Sequence, residues 1–150
     1  MKKNIAYILC TLFGAGYIPL APGTFASFLT VLALYLLDPS IWVLFMMISV
    51  SFLIAIVFTS EIEKKDGKDP KHIVIDEIAG QSLSFLLIPH PSVVILFLGF
   101  LFFRLFDINK PFGIKGLQKF KSGLGVVLDD IMAGLFTNII LQLLILAKVL

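Results

Sequence analysis

The chain has 150 residues, a formal net charge of +2, one cysteine and 59% hydrophobic residues, with a mean hydropathy of +1.02. A single domain over residues 1–150 cannot hide that much apolar surface from water, so a bilayer is the expected solvent rather than a soluble core. So small a charge, held in discrete loops, provides no nucleic-acid-binding face, and a lone Cys10 in an apolar stretch offers neither a disulfide framework nor a thiolate metal site.

The first stretch, "MKKNIAYILCTLF", has the basic start and apolar run of a secretory signal, but Gly14 and Gly16 interrupt it. It reads instead as a short interfacial or re-entrant segment, with Cys10 as packing. In "APGTFAS" (21–27), Pro22 and Gly23 break the chain and Thr24 is placed to cap the next helix. A helix N-terminus with a hydroxyl attracts phosphate, although a plain cap accounts for Thr24 equally well. Residues 24–37 are apolar up to the turn "DPS", and residues 41–58 form an unbroken apolar run of 18, about the length that crosses ~30 Å of hydrocarbon.

Residues 59–72 carry four lysines among Glu61, Glu63, Asp66 and Asp69 and read as a solvated loop. Two shorter apolar segments follow, 73–88 up to "PHPS" and 92–106 up to a basic loop that holds Lys110, Lys115, Lys119 and Lys121. Residues 131–150 give a second spanning segment, in which Thr137, Asn138 and Gln142 are expected to bond between helices. "DPS" and "PHPS" contain no Lys or Arg, so each is expected to close a helical hairpin. The expected fold is therefore all-α: a polytopic membrane helical bundle of two hairpins (24–58 and 73–106), a C-terminal helix and a short N-terminal segment. Eleven of the twelve Lys and Arg residues fall on the side opposite the proline turns, which the positive-inside rule makes cytoplasmic.

On that topology five acids converge at one membrane depth. Asp76 and Glu77 stand about one turn into the third helix, Asp107 at the cytoplasmic end of the fourth, and Asp129 and Asp130 at the beginning of the fifth. A carboxylate in hydrocarbon costs roughly 2.5–3.5 kcal/mol or more, and neighbouring acids repel one another. Only Arg104 and Lys110 stand near on the helices, too few to balance five. A hard divalent cation with oxygen ligands would, and so few histidines and no thiolate pair favour Mg²⁺ over Zn²⁺. In "VIDEIAG" (74–80) and "VLDDIMAG" (127–134) each acidic pair is followed by Ala-Gly, small residues that let a second helix approach.

"GYIPLAPGTFAS", "IVIDEIAGQ", "FRLFDINKPFGI" and "GLGVVLDDIMAG" together resemble, in order and over nearly the whole chain, the phosphatidylglycerophosphatase A family of membrane lipid phosphatases. The resemblance implies Mg²⁺-dependent hydrolysis of the terminal phosphomonoester of phosphatidylglycerophosphate at the cytoplasmic face of a bacterial inner membrane, with membrane lipid as the medium and no nucleic-acid partner. Thr24, Asp76, Glu77, Arg104, Asp107, Lys110, Asp129 and Asp130 match the polar motifs of that family. The chain is short for the family, and "KSGLG" (121–125) stands where the family tends to have paired glycines. In the expected site Asp76, Glu77, Asp129 and Asp130 hold one or two Mg²⁺ ions, and Arg104 and Lys110 bind phosphoryl oxygens, with Thr24 at the rim. Asp107 is a general base or a covalent nucleophile, and the sequence leaves both open. The competing readings are an ion-coupled transporter or ion-binding membrane protein that uses the same acids, and a structural subunit whose acids meet a partner's lysines. Oligomeric state stays open, a homo-oligomer included.

Overall fold

The computed structural model describes residues 2–68, 70–111 and 123–150, and those residues are helical without strands. The side chains of Lys2 and Lys3, together with Asp69, Lys115, Lys119, Lys121 and the start of "KSGLG", lie outside the described residues. In chain order the helices are α1 (Lys2–Cys10), a 3-10 turn (Ala15–Tyr17), α2 (Pro22–Leu37), α3 (Ile41–Asp66), α4 (Ile75–Leu83), α5 (Val93–Asn109) and α6 (Gly123–Leu146).

α3 and α6 are long and apolar enough to cross a membrane. At 26 residues α3 is about 39 Å long, so it runs some two turns past ~30 Å of hydrocarbon. That extension corrects the expectation of a loop from residue 59. Glu and Lys are good helix formers, Lys64 bonds Glu61 one turn back at 2.7 Å, and the helix stops only at Gly67, whose φ of 91° suits glycine. Ile41, Trp42, Phe45, Met46, Val50, Leu53 and Val57 are all exposed along α3, a run of large apolar side chains of the kind that marks a membrane or partner surface.

The helices do not pack hairpin by hairpin. α4 lies at the centre against α6, α3 and α2, whereas α2 and α3, joined by three residues, are not a packed pair. The physical reason is in α4 itself, where Ala79, Gly80 and Ser82 are buried and small enough to admit several neighbours. α4 also stops at Leu83, short of the expected 88. Asn138 of α6 donates to the Ser84 and Leu86 carbonyls at 3.1 and 2.7 Å, satisfying backbone that the ended helix leaves open. Of the three polar residues expected to bond between helices, Asn138 does so, while Thr137 and Gln142 bond within α6 to Ala133 and Asn138.

α1 packs on α3, with Ala6 and Cys10 in a core cluster that includes Ala55, Ile62, Ile75, Ala79 and Val127. Burial raises the Cys10 thiol to about 11, as expected for a packing residue. The two proline turns meet at one end, where His90 Nδ1 lies 2.5 Å from Asp38 Oδ2. The start of α2, the start of α4 and the end of α5 lie at the other end and surround a cleft.

Candidate active site

The cleft has a volume of about 320 Å³, and its walls carry Asp76, Glu77, Arg104, Asp107, Lys110, Asp129 and Asp130. Asp76 and Glu77 fall in the first turn of α4, where the positive end of the helix dipole favours carboxylates. They are nearer the helix start than expected because α4 begins at Ile75 rather than 73. Asp129 and Asp130, expected at the beginning of the last helix, instead lie about two turns into α6, which "GLGVV" carries upstream.

Two glycines set the distance between these pairs. Gly80 and Gly134 stand four residues after Asp76 and Asp130, on the same helix faces as those acids. A Cβ on Gly80 would lie 2.4 Å from the Asp130 carbonyl oxygen, and one on Gly134 would lie 2.2 Å from the Gly80 carbonyl oxygen. α4 and α6 therefore touch backbone to backbone, and their acids share one space. A third glycine closes the rim: a Cβ on Gly23 would fall 1.9 Å from Glu77 Oε1.

The carboxylates divide into two sets. Asp76, Glu77 and Asp130 each offer an oxygen, all within 4.8 Å of one another. Asp107 and Asp129 face cations: Arg104 Nη1 is 2.7 Å from Asp107 Oδ2 and 3.9 Å from Glu77 Oε1, and Lys110 Nζ pairs with Asp129 Oδ2. Asp129, expected to hold metal with Asp76, Glu77 and Asp130, lines the same cleft but is not among the three acids whose oxygens converge. Lys110 closes α5 in a left-handed conformation (φ 46°) just before Pro111, which cannot extend the helix. Burial works against the charge on Lys110, yet Asp129, Asp130 and Asp107 outweigh it and hold the ammonium above its usual range.

The converging set fits a hard divalent cation. Asp76 and Asp130 are 6% and 4% exposed, and the buried Asp130 Oδ2 and Glu77 Oε2 have no hydrogen-bond partner among the described residues. Buried carboxylate oxygens without donors are costly, and oxygen-only donors suit Mg²⁺ rather than Zn²⁺. With no cation bound, burial and the charge on Asp130 push Glu77 up to about 8. Such carboxyls do not ionise together without a positive partner.

Thr24 differs from its expected role. The N-cap of α2 is Ala21 (φ 48°), followed by Pro22, and neither the cap nor the lining of the cleft involves the Thr24 side chain. Three residues that sequence reasoning missed do contribute. Lys71 and Gly23 line the cleft, and Ser27 accepts a 3.4 Å hydrogen bond from Arg104 Nη1. Lys71 was hidden in a lysine-rich run, its nearness to Asp76 in the chain being the one available signal.

A sequence model of the family described as Phosphatidylglycerophosphatase A matches residues 8–145. The chain is 33% identical over 143 residues to the Haemophilus influenzae protein named Phosphatidylglycerophosphatase A, covering 91% of this chain and 86% of that one. It is 28% identical over 138 residues to the Escherichia coli K12 protein of the same name, covering 90% and 80%. It is also 32% identical over 142 residues, covering 89% of both chains, to a Bacteroides thetaiotaomicron protein provisionally named phosphatidylinositol-3-phosphatase. No solved structure matches the chain.

Proposed function

Since the chain belongs to the phosphatidylglycerophosphatase A family, we propose that it hydrolyses the terminal phosphomonoester of phosphatidylglycerophosphate to phosphatidylglycerol and inorganic phosphate. The reaction is assigned to the cytoplasmic face of a bacterial inner membrane and made dependent on Mg²⁺. The observation that carries this reading is the pairing, in one cleft, of three converging carboxylates with Arg104 and Lys110. An anionic phosphate and its cation need both kinds of group.

Asp76, Glu77 and Asp130 are the residues that would hold Mg²⁺. A divalent cation bound by such carboxylates supplies charge neutralisation at phosphoryl oxygens and a more acidic water. Arg104 would orient the phosphoryl group with its planar fork, and its bonds to Asp107 and Ser27 fix that fork in advance. Lys110, anchored by Asp129, would meet the same group as a point charge. Asp107 is assigned either the acceptance of the attacking water's proton or direct attack on phosphorus. In both cases the P–O bond to glycerol breaks and the leaving alkoxide takes up a proton; after direct attack the phosphoryl group is left on Asp107, and a water must then cleave that aspartyl phosphate to free the carboxylate and release inorganic phosphate. The apolar exposed face of α3 is suited to keep the acyl chains in lipid beside the cleft.

The Bacteroides relative favours a second substrate, phosphatidylinositol 3-phosphate. Both lipids carry a phosphomonoester on a polyol that a phosphodiester joins to the lipid. Phosphate release from the purified protein, measured with each lipid and with phosphatidic acid, tests the assignment. Preference for phosphatidylglycerophosphate is the expected result.

A further inference from the structure

Lys71 stands apart from the other cations of the cleft. Arg104 is engaged by Asp107 and Glu77, and Lys110 by Asp129, whereas Lys71 lines the cleft with an exposed side chain and no ion pair among the described residues. Its backbone is nevertheless well fixed. The neighbouring His72 ring stacks on Tyr7 and Tyr17, with centroids 6.0 and 5.2 Å away, and His72 Nε2 lies 3.1 Å from Asp66 Oδ2, which also accepts from the Tyr7 hydroxyl at 2.8 Å. Gly16 is pressed against His72, since a Cβ there would lie 2.0 Å from the His72 carbonyl oxygen, and Val74 N–H donates to the Cys10 carbonyl at 2.8 Å. α1, the 3-10 turn and the end of α3 thus fix the backbone beside Lys71, whose exposed side chain lines the cleft.

We infer that Lys71 is a specificity-determining residue that binds the bridging phosphodiester of the lipid head group while the terminal phosphomonoester occupies the carboxylate-lined interior. This rests on the phosphatase reading above and deepens it. A substrate with two phosphates presents its second anion outside the reacting one, where the inner cations are already engaged. A long flexible ammonium on a fixed backbone is matched to that anion. Phosphatidic acid has no second phosphate and gains nothing from it.

The test is steady-state kinetics in mixed micelles with phosphatidylglycerophosphate and phosphatidic acid, on the wild-type chain, Lys71→Gln and Lys71→Arg. Lys71→Gln is expected to lower the ratio of kcat/KM for the two lipids roughly fivefold, the worth of one partly solvated charge contact, through KM for phosphatidylglycerophosphate. Lys71→Arg is expected to restore most of the ratio. An unchanged ratio, or an equal fall on both lipids, overturns the assignment of Lys71 and leaves the phosphatase reading standing. Wild-type protein that hydrolyses neither lipid overturns both.

Discussion

Asp130 and Asp129 are adjacent in the chain, and their environments assign them different work. Asp130 has a buried oxygen without a hydrogen-bond partner among the described residues and converges with Asp76 and Glu77, whereas Asp129 pairs with Lys110. Asp130→Asn is therefore expected to lower kcat on the order of 100-fold, as loss of one preorganised electrostatic contact does, and to weaken Mg²⁺ binding. Asp129→Asn should weaken Mg²⁺ binding less, because its loss falls first on the anchoring of Lys110. Magnesium titration of turnover in both variants checks the difference. Glu77 adds a pH dependence with a definite sign. Burial and Asp130 push its carboxyl up to about 8 in the cation-free protein, so protons compete with the cation below that pH. Apparent Mg²⁺ affinity, read from metal-induced thermal shifts, should strengthen as pH rises from 6 toward 8. A flat profile in Glu77→Gln would assign the effect to this group.

At the level of elements, the α4–α6 contact decides whether the acids meet. Gly80→Ala or Gly134→Ala would set a methyl 2.4 or 2.2 Å from the facing backbone, where no flexible side chain can yield. Each is expected to destabilise by about 1–3 kcal/mol and to reduce turnover more than stability alone explains, since parting the helices separates Asp76 from Asp130. Thermal melts in detergent alongside kinetics at a permissive temperature test this. The contact was legible in the sequence because an acid and a glycine four residues apart share a helix face, and the pattern occurs twice. The extent of α3 was not legible: "TSEIEKKD" has a loop's polarity and a helix's propensity, and packing of Thr59 and Ile62 in the core decides for helix. The packing partners of the hairpin helices were not legible for a related reason. Turn chemistry shows where the chain reverses, but α4's small residues determine what it reverses against.

The whole molecule separates an apolar body from one charged end. Seven polar residues expected to form the site gather there from three helices, and Lys71, Gly23 and Ser27 join them, the latter two from the "APGTFAS" segment expected at the rim through Thr24. Thr24 does not line the cleft. The cluster lies at the ends of α2, α4 and α5 and about two turns into α6, nearer one end of the bundle than its middle, which suits chemistry at a membrane surface better than a transport path with its ion site near mid-membrane. The exposed apolar face of α3 leads to the expectation that the chain stays in the membrane fraction after alkaline carbonate washing and leaves it only with detergent. The central claim, that these carboxylates gather around a magnesium ion to cleave a lipid phosphomonoester, is tested most directly by phosphate release from purified protein with phosphatidylglycerophosphate, first with Mg²⁺, then after chelation, then with Mg²⁺ restored. The account predicts turnover that chelation abolishes and magnesium restores. Turnover that persists without any divalent cation, or no release under any of the three conditions, would contradict it.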